Sequence, residues 1–217
     1  MLKRTIDVAA SAIGIVVLSP VMAALAVAIK TGSPGPVLYR GLRAGRYGVP
    51  FRIMKFRSMV ADAERRGGPS TSDDDPRLTR VGSFMRRYKL DELPQLFNVL
   101  AGDMSIVGHR PEVLSEVAEY TAEQRRILDL RPGITDWASI WNADEGRVLA
   151  GAADPHQAYK ALIQPTKLKL QLKYRDEHSL WVDLKVVWCT ILRILMRNWT
   201  PAELRAFPPA GSQRGTT

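Results

Sequence analysis

Two adjacent acids, Asp91 and Glu92, are the residues of this sequence best suited to chemistry. Three cations directly precede them: Arg86, Arg87 and Lys89. A carboxylate can attack phosphorus or bind a divalent metal ion, and nearby cations stabilise phosphate charge. Out of context, an acid with a proline in the following turn is explained as the start of a helix. The neighbouring cations favour a phosphate site instead, with one acid as nucleophile or metal ligand and the other tuning it.

Three more cations are candidate phosphate ligands. Lys55 and Arg57 lie two residues apart at the end of a predicted strand, and they share a face if the strand continues through Arg57. Arg110 stands in a turn beside Pro111, and its guanidinium suits bidentate binding of phosphate oxygens. Each of these residues alone is more typical of a solvated strand end or a structural turn. Their assignment therefore depends on the acid pair.

The remaining candidate motifs are not expected to take part in catalysis. The acidic run 73–75 precedes Pro76 and is better explained as a helix cap than as a metal site. Three histidines, at positions 109, 156 and 178, lack the spacing of metal ligands. The sequence has no phosphate-binding glycine loop, dinucleotide fingerprint, zinc cluster or nucleophile elbow.

An apolar segment must place these residues relative to a membrane. Residues 8–29 form a run of 22 residues without a charge, flanked by Arg4 and Lys30. A straight helix of that length covers about 33 Å, enough to cross a bilayer core of about 30 Å. Ser19 and Pro20 lie in its middle, where proline breaks or bends a helix, and cations flank both ends. The pattern supports a kinked spanning helix and a re-entrant helix–break–helix equally, and the run is long for a cleaved signal peptide.

The rest of the chain reads as one domain of helices with a few short strands. A helix predicted over Leu180–Asn198 carries Trp181 and Trp188 on its apolar side and Arg193 on its polar side, which is typical of a helix in a membrane interface. An ordinary core helix is the alternative. The end of the chain after Thr200 is rich in Pro, Gly and Ser and is predicted to be disordered.

Charge and cysteine content limit the partners. The 31 Lys and Arg against 22 Asp and Glu leave a net charge of +9, which suits nucleic acid, acidic lipid or phosphorylated substrates. The single cysteine, Cys189, excludes an internal disulfide.

Taken in order, the motifs resemble those of the small monotopic phosphoglycosyl transferases, bacterial sugar transferases that initiate surface-glycan assembly. The resemblance extends from about Lys3 to Asn198. Its carriers are the segments 3–7, 19–20, 35–37, 55–59, 75–77, 90–96, 98–100, 104–108, 110–111 and 131–135. Each segment is weak alone, and their number and order make the resemblance specific.

The resemblance implies an α+β, mainly helical, monotopic membrane protein with interfacial amphipathic helices and a few short strands. Residues 1–30 would be a re-entrant anchor bent at Ser19 and Pro20. Residues 31–199 would be the catalytic domain, on the cytoplasmic face of the bacterial inner membrane. Residues 200–217 would be a disordered tail, the third of the three segments.

The resemblance also implies a reaction. Asp91 would attack the sugar-linked phosphorus of a UDP-sugar, expel UMP and form a phosphosugar–aspartyl intermediate, which a polyprenyl phosphate, usually undecaprenyl phosphate, then accepts. Glu92 would assist Asp91, and Mg²⁺ bound near Asp91 would offset diphosphate charge. The phosphate-binding cations would be Lys55, Arg57, Arg86 and Arg110. Membrane lipid is an expected partner, nucleic acid is not, downstream glycosyltransferases are candidates, and the oligomeric state stays open.

Three positions depart from the family pattern. His109 stands where proline is usual, Asp136 where glycine is usual, and Gly41 where glutamine is common. The His109 departure puts an imidazole beside the expected phosphate site. None of the three touches the acid pair.

Two alternatives from other classes explain part of the sequence. A membrane-tethered basic scaffold or binding module would account for the charge and the apolar segment, but not for two acids among cations. A glycosyltransferase that moves the sugar alone would release UDP rather than UMP. The sugar and the glycan pathway cannot be read from the residues.

Overall fold

The computed structural model describes residues 2–68, 70–196 and 199–209, without the side chain of Glu64. Over these residues the protein is mainly helical with few strands, which confirms the predicted α+β class. The α-helices are α1 (Leu2–Gly32), α2 (Ala63–Arg66), α3 (Arg80–Arg87), α4 (Gln95–Ala101), α5 (Leu114–Ala118), α6 (Ala122–Arg125), α7 (Trp137–Trp141), α8 (Glu145–Leu149), α9 (Pro155–Leu162), α10 (Gln164–Glu177) and α11 (Leu180–Leu195). The strands are β1 (Leu38–Tyr39), β2 (Leu42–Ala44), β3 (Pro50–Arg52), β4 (Lys55–Phe56), β5 (Ser105–Val107) and β6 (Gly133–Thr135).

The strands form three separate pairs rather than one sheet. β1 pairs antiparallel with β4, β2 pairs antiparallel with β3 across a tight turn, and β5 pairs parallel with β6. The third pair needs two glycines, because a Cβ on Gly108 would lie 2.3 Å from the Arg131 carbonyl oxygen and one on Gly133 would lie 2.0 Å from the Gly108 nitrogen. This close approach fixes the chain that leads into Arg110.

The apolar segment forms one continuous helix, α1, which is long and apolar enough to cross a membrane by length and composition. Pro20 lies inside the helix, and the Ser19 hydroxyl donates to the Val16 carbonyl oxygen at 2.8 Å. Helical structure therefore continues through Ser19 and Pro20, where a break was predicted. A hydroxyl can compensate a helix carbonyl that proline leaves without its usual donor, which explains how the helix continues.

The first turns of α1 are attached to the rest of the protein by polar contacts. Asp7, although part of a largely apolar helix, is buried and accepts hydrogen bonds from the Ser105 hydroxyl at 2.8 Å and the Ile106 backbone N–H at 3.1 Å. Lys3 forms an ion pair with Asp183 at 2.5 Å. The Arg4 guanidinium donates to two carbonyl oxygens at the end of α4. These contacts fix the start of α1 against α4, β5 and α11.

The last turns of α1 are attached by apolar packing. Met22, Leu25 and Ile29 are buried in one cluster with Phe56 of β4 and Met85 of α3. The residues between the two attached ends leave large aliphatic side chains exposed, with Ile13, Val16 and Val17 between 63% and 73% exposed. Both ends of α1 therefore contact the same folded body.

α11 has a mixed inward side and an apolar outward side. Inward, Val186 and Cys189 are buried in the core, and Asp183 accepts from the Tyr174 hydroxyl at 2.6 Å. Thr190 bonds to Thr135, and Arg193 pairs with Asp144. The exposed side carries large apolar residues: Trp181, Leu184, Trp188, Ile191, Ile194 and Leu195. A helix on a water-soluble protein carries mostly polar residues on its exposed side, so the outward side of α11 is unusual for such a helix.

Three local predictions need correction. The acidic run does not cap a helix: Asp75 accepts from Arg77, and the helix begins after Thr79, whose hydroxyl accepts from the Gly82 N–H. The last long helix ends at Leu195, while residues 197 and 198 lie outside the described residues.

The predicted disorder from residue 200 is wrong for residues 200–209. Leu204 is 1% exposed, and the Trp141 indole donates to the Pro208 carbonyl oxygen. The predicted disorder of 210–217 falls outside the described residues.

Candidate active site

The acid pair lies in a 3₁₀ turn, Leu90–Glu92, between α3 and α4. Lys89 takes a left-handed conformation, with φ of 57°, and redirects the chain after α3. Pro94 then precedes the first residue of α4. The pair is thus not the simple helix cap that the sequence suggested, and both acids are buried, at 7% and 8% exposed.

Glu92 is fully occupied by two cations from distant parts of the chain. The Lys55 ammonium of β4 donates to Glu92 Oε1 at 2.9 Å. The Arg110 guanidinium, which follows β5, binds the same carboxylate through both terminal nitrogens, at 2.5 and 3.2 Å. Burial raises the pKa of Glu92, but Arg110 and Lys55 outweigh it and hold the pKa well below its usual value. Glu92 is therefore a fixed negative charge that orients Lys55 and Arg110.

Asp91 is in a different electrostatic position. No hydrogen bond to its carboxylate occurs among the residues that the structure describes. Burial, and then the negative charge of Glu92, raise the pKa of Asp91, while Lys55, Arg86 and Lys89 act in the opposite direction. A carboxylate with a raised pKa is more basic and a stronger nucleophile than an ordinary aspartate. Of the two acids, Asp91 is the one free to react.

The acid pair opens into a cavity of about 900 Å³. Its lining contains the acids Asp91, Glu92, Glu112, Glu116 and Glu145 and a larger number of basic residues: Arg40, Arg43, Arg52, Lys55, Arg57, Arg77, Arg86, Lys89, Arg110 and Lys167. The predicted phosphate ligands Lys55, Arg86 and Arg110 are therefore brought together with the acids. A volume and a charge of this kind suit a nucleotide diphosphate.

Arg57 makes structural contacts that were not predicted. Its guanidinium donates to the carbonyl oxygens of Pro36, Pro34 and Ser33, at 2.6, 2.7 and 2.9 Å. The side chain is 6% exposed, and these three bonds use all three of its nitrogens. Arg57 thus fixes the turn that follows α1, and its predicted role as a phosphate ligand stays a prediction.

α1 supports the site directly. Leu90 and Leu93 flank the acid pair, and Phe56 follows Lys55. All three pack in the cluster formed with the last turns of α1. The position of the acids and of Lys55 therefore depends on the apolar end of α1.

A second polar network lies in the cavity wall and was not predicted from the sequence. The Lys167 ammonium binds Glu112 and the Tyr159 hydroxyl, and that hydroxyl donates to Glu112 at 2.8 Å. Lys167 lies in α10 among residues that are themselves buried, and a lysine in such a helix face is the signal that could have revealed it.

His109, the departure beside Arg110, points away from the expected phosphate contact. The ring is 3% exposed, and neither ring nitrogen has a hydrogen-bond partner among the described residues. Burial lowers the pKa of His109 to about 4, so the imidazole is neutral at physiological pH. The residue is absent from the lining of the cavity.

Comparison with known proteins identifies one family. The family profile described as bacterial sugar transferase matches residues 1–197. The chain is 40% identical over 201 residues to the UDP-N-acetylgalactosamine-undecaprenyl-phosphate N-acetylgalactosaminephosphotransferase of Aeromonas hydrophila, covering 89% of this chain and 44% of the relative. It is 36% identical over 202 residues to the UDP-glucose:undecaprenyl-phosphate glucose-1-phosphate transferase of Escherichia coli (strain K12), covering 89% and 40%.

A shorter relative is matched over more of its length. The chain is 37% identical over 199 residues to the UDP-glucose:undecaprenyl-phosphate glucose-1-phosphate transferase of Caulobacter vibrioides, covering 89% of this chain and 69% of the relative. The chain spans less than half the length of the relatives from Aeromonas and Escherichia.

Proposed function

The chain belongs to the bacterial sugar transferase family, and we propose that it transfers a sugar phosphate from a UDP-sugar to undecaprenyl phosphate and releases UMP. The relatives named above carry out this type of transfer with different sugars. The observation in this chain that carries the proposal is the division of the acid pair. Glu92 is held by Lys55 and Arg110, while Asp91 is free, buried and surrounded by cations.

Asp91 would form the first new bond. One carboxylate oxygen attacks the sugar-linked phosphorus of the donor, and the bond from that phosphorus to the bridging oxygen breaks, so UMP leaves with the electron pair. Lys55, Arg86 and Arg110 line the cavity and would bind the phosphate oxygens as charge shifts onto the leaving group. The product is an aspartyl phosphosugar, and no proton has to be transferred.

The acceptor would then reverse the covalent step. An oxygen of undecaprenyl phosphate attacks the same phosphorus and displaces the Asp91 carboxylate, which yields a lipid-linked diphosphate sugar and free enzyme. A covalent intermediate lets a water-soluble donor and a lipid acceptor use one site in turn. The apolar residues Leu90 and Leu93 beside the acids connect the site to the helix α1, where a lipid acceptor would be found.

Magnesium fits this site only together with a substrate. Among the described residues, no three His, Cys, Asp or Glu side chains are grouped to hold a metal ion by themselves. Mg²⁺ is commonly bound by one or two carboxylates with substrate phosphates and water, and Asp91 has a carboxylate without hydrogen bonds. We propose that Asp91 holds Mg²⁺, which when bound would offset the negative charge of the diphosphate.

The contacts of α1 support a monotopic arrangement. A helix that spans a bilayer separates its ends by the membrane thickness, whereas both ends of α1 contact the same body, at Asp7 and at Leu25. The outward apolar side of α11, with Trp181 and Trp188 exposed, supports a position of that body at the membrane interface. We therefore propose a re-entrant or interfacial α1, with the cavity on the cytoplasmic face of the inner membrane.

Nucleotide release tests the reaction. Purified protein is mixed with Mg²⁺, undecaprenyl phosphate and a panel of UDP-sugars that includes UDP-glucose and UDP-N-acetylgalactosamine. UMP release from one donor is expected; UDP release would assign an ordinary glycosyltransferase instead. Asp91→Asn should abolish turnover, because an amide is a poor nucleophile, while Asp176→Asn, an exposed residue outside the cavity, should not. Turnover by Asp91→Asn at the wild-type rate would overturn the mechanism.

Cysteine labelling tests the arrangement of α1. In a Cys189→Ser background, Leu2→Cys and Thr31→Cys place one thiol near each end of α1, and both positions are exposed. A membrane-impermeant maleimide should label both from the cytoplasmic side and neither from the outside. Labelling of the two ends from opposite sides would establish a spanning helix.

A further inference from the structure

Gln95 is a buried polar residue of the cavity that has no assigned role. It is the first residue of α4, 1% exposed, and it lines the cavity together with the acid pair. Its side-chain nitrogen has no hydrogen-bond partner among the described residues. Leaving a buried donor without a partner destabilises the folded state, so such a residue calls for an explanation.

The position of Gln95 relates it to Asp91. The two residues are four apart, with Glu92 in the 3₁₀ turn and Leu93 and Pro94 at helical backbone angles between them. Both Gln95 and Asp91 line the same cavity, which places them in one site. The amide can also turn about its last bond, which exchanges its oxygen and nitrogen without moving the rest of the side chain.

The neighbouring cations would be complemented by a neutral hydrogen-bond donor such as Gln95. Lys55 and Arg110 use part of their hydrogen-bonding capacity on Glu92, so a further donor beside the transferred phosphoryl group would add to what they supply. A neutral amide can donate to a phosphate oxygen without forming an ion pair with the attacking group. Resting on the proposed function, we propose that the Gln95 side-chain amide donates a hydrogen bond to a non-bridging oxygen of the phosphoryl group that Asp91 receives.

The test compares activity with stability in Gln95→Met, a substitution of similar length without a donor. We expect the rate of UMP release to fall about 100-fold or more, in line with the loss of one donor to a developing charge. The melting temperature should stay equal or rise, because a buried donor without a partner is removed. The inhibition constant of UMP should not change, since UMP lacks the transferred phosphoryl group.

Gln171→Met is the matched control. Gln171 is also 1% exposed, but it lies outside the cavity and donates to Asp136 at 3.2 Å. This variant should lose melting temperature and keep the rate per folded molecule. If Gln95 had no role in the reaction, Gln95→Met would keep the rate per folded molecule, as Gln171→Met should, and the proposal would be overturned.

Binding provides a measurement without turnover. In an Asp91→Asn background, the UDP-sugar that the wild type uses should bind at least several-fold more weakly when Gln95→Met is added. Unchanged binding together with an unchanged rate in the single variant would also overturn the proposal. UMP release by the wild-type protein is measured in the same assay, and its absence would overturn the proposed function, whereas its presence with an unchanged rate in Gln95→Met would overturn the Gln95 proposal alone.

Discussion

The two ends of α1 are attached to the same body by different chemistry. The first turns use directional contacts, with Asp7 bound to the Ser105 hydroxyl and the Ile106 N–H. The last turns use apolar packing, with Leu25 in one cluster with Phe56 and Met85. Hydrogen bonds fix a register, whereas apolar packing tolerates small shifts as long as volume is kept.

This difference indicates what each end does. The polar end sets where α1 begins relative to β5, and the apolar end carries the residues beside the acid pair. Changes at the polar end should therefore reduce stability and leave the chemistry of folded molecules intact. Changes at the apolar end should affect both.

The largest effect is expected at Glu92, beside the apolar end. Glu92→Gln leaves the buried charges of Lys55 and Arg110 without a counter-charge and should lower the free energy of unfolding by about 3 kcal/mol at pH 7. Denaturant unfolding in detergent micelles measures it. A loss below about 1 kcal/mol would mean that packing alone holds this end.

The pH dependence of that loss has a defined sign. Although burial raises the pKa of Glu92, Arg110 and Lys55 lower it overall, so its ionised form stabilises the folded state at pH values above the ordinary glutamate pKa of about 4.3. This contribution is lost as the pH falls through the lowered pKa. The difference between wild type and Glu92→Gln should be constant from pH 7 to 5 and shrink in stronger acid.

A slightly smaller effect is expected at the polar end. Asp7→Ala leaves the Ser105 hydroxyl and the Ile106 N–H without an acceptor in a buried place and should cost about 2–3 kcal/mol. Asp7→Asn keeps one acceptor oxygen and should recover part of the loss. UMP release per folded molecule should stay near the wild-type rate, and a large drop would show that the polar end also positions the site.

Packing at the apolar end is tested by Leu25→Ala, which should cost about 2 kcal/mol, the lower limit for a buried leucine, because Leu25 lies at the edge of the body. The rate of UMP release should fall with it. Val27→Ala is the matched control, since Val27 is 63% exposed on the same helix, and it should change neither quantity. Equal effects of the two substitutions would contradict the assigned packing face.

The smallest effect is expected between the two ends. Pro20 lies in the exposed middle of α1, where the Ser19 hydroxyl bonds to the Val16 carbonyl oxygen and the helix is continuous. The substitution Pro20→Ala should therefore change little. The free energy of unfolding should change by less than about 1 kcal/mol. Both thiols of the labelling experiment should stay on one side, because the contacts at the two ends are intact; a change of side would show that Pro20 alone prevents crossing.

Much of the site could be predicted from the sequence because it consists of charged residues in short strings. The acid pair, Lys55, Arg86 and Arg110 were found in this way, and the structure lines one cavity with them. The contacts of Arg57 could not be predicted, because strand alternation gives the direction of a side chain but not its partner. Its partners are backbone carbonyls of the turn after α1, which no residue pattern reveals.

The fold was harder to predict from the sequence than the site. The pattern of α1 left a kinked continuous helix and a re-entrant one open, because a proline in an apolar run does not show whether helical structure continues; here it continues, with the Ser19 hydroxyl bonded to the Val16 carbonyl oxygen. Residues 200–209 were taken as disordered from composition, yet Leu204 and Phe207 pack on the core formed by α7, α10 and α11. The polar and apolar sides of α11 were predicted correctly, but the distribution of residues around a helix does not say which side faces the protein.

The outward apolar side of α11 has a consequence for biochemical work on this protein. Cutting away α1 is the usual route to a water-soluble fragment, yet here it would leave Trp181, Trp188 and Leu195 in solvent and uncover Phe56 and Met85 as well. A shortened chain beginning after Gly32 should precipitate or self-associate without detergent. Solubility and activity will have to be pursued with α1 in place, in micelles or lipid discs.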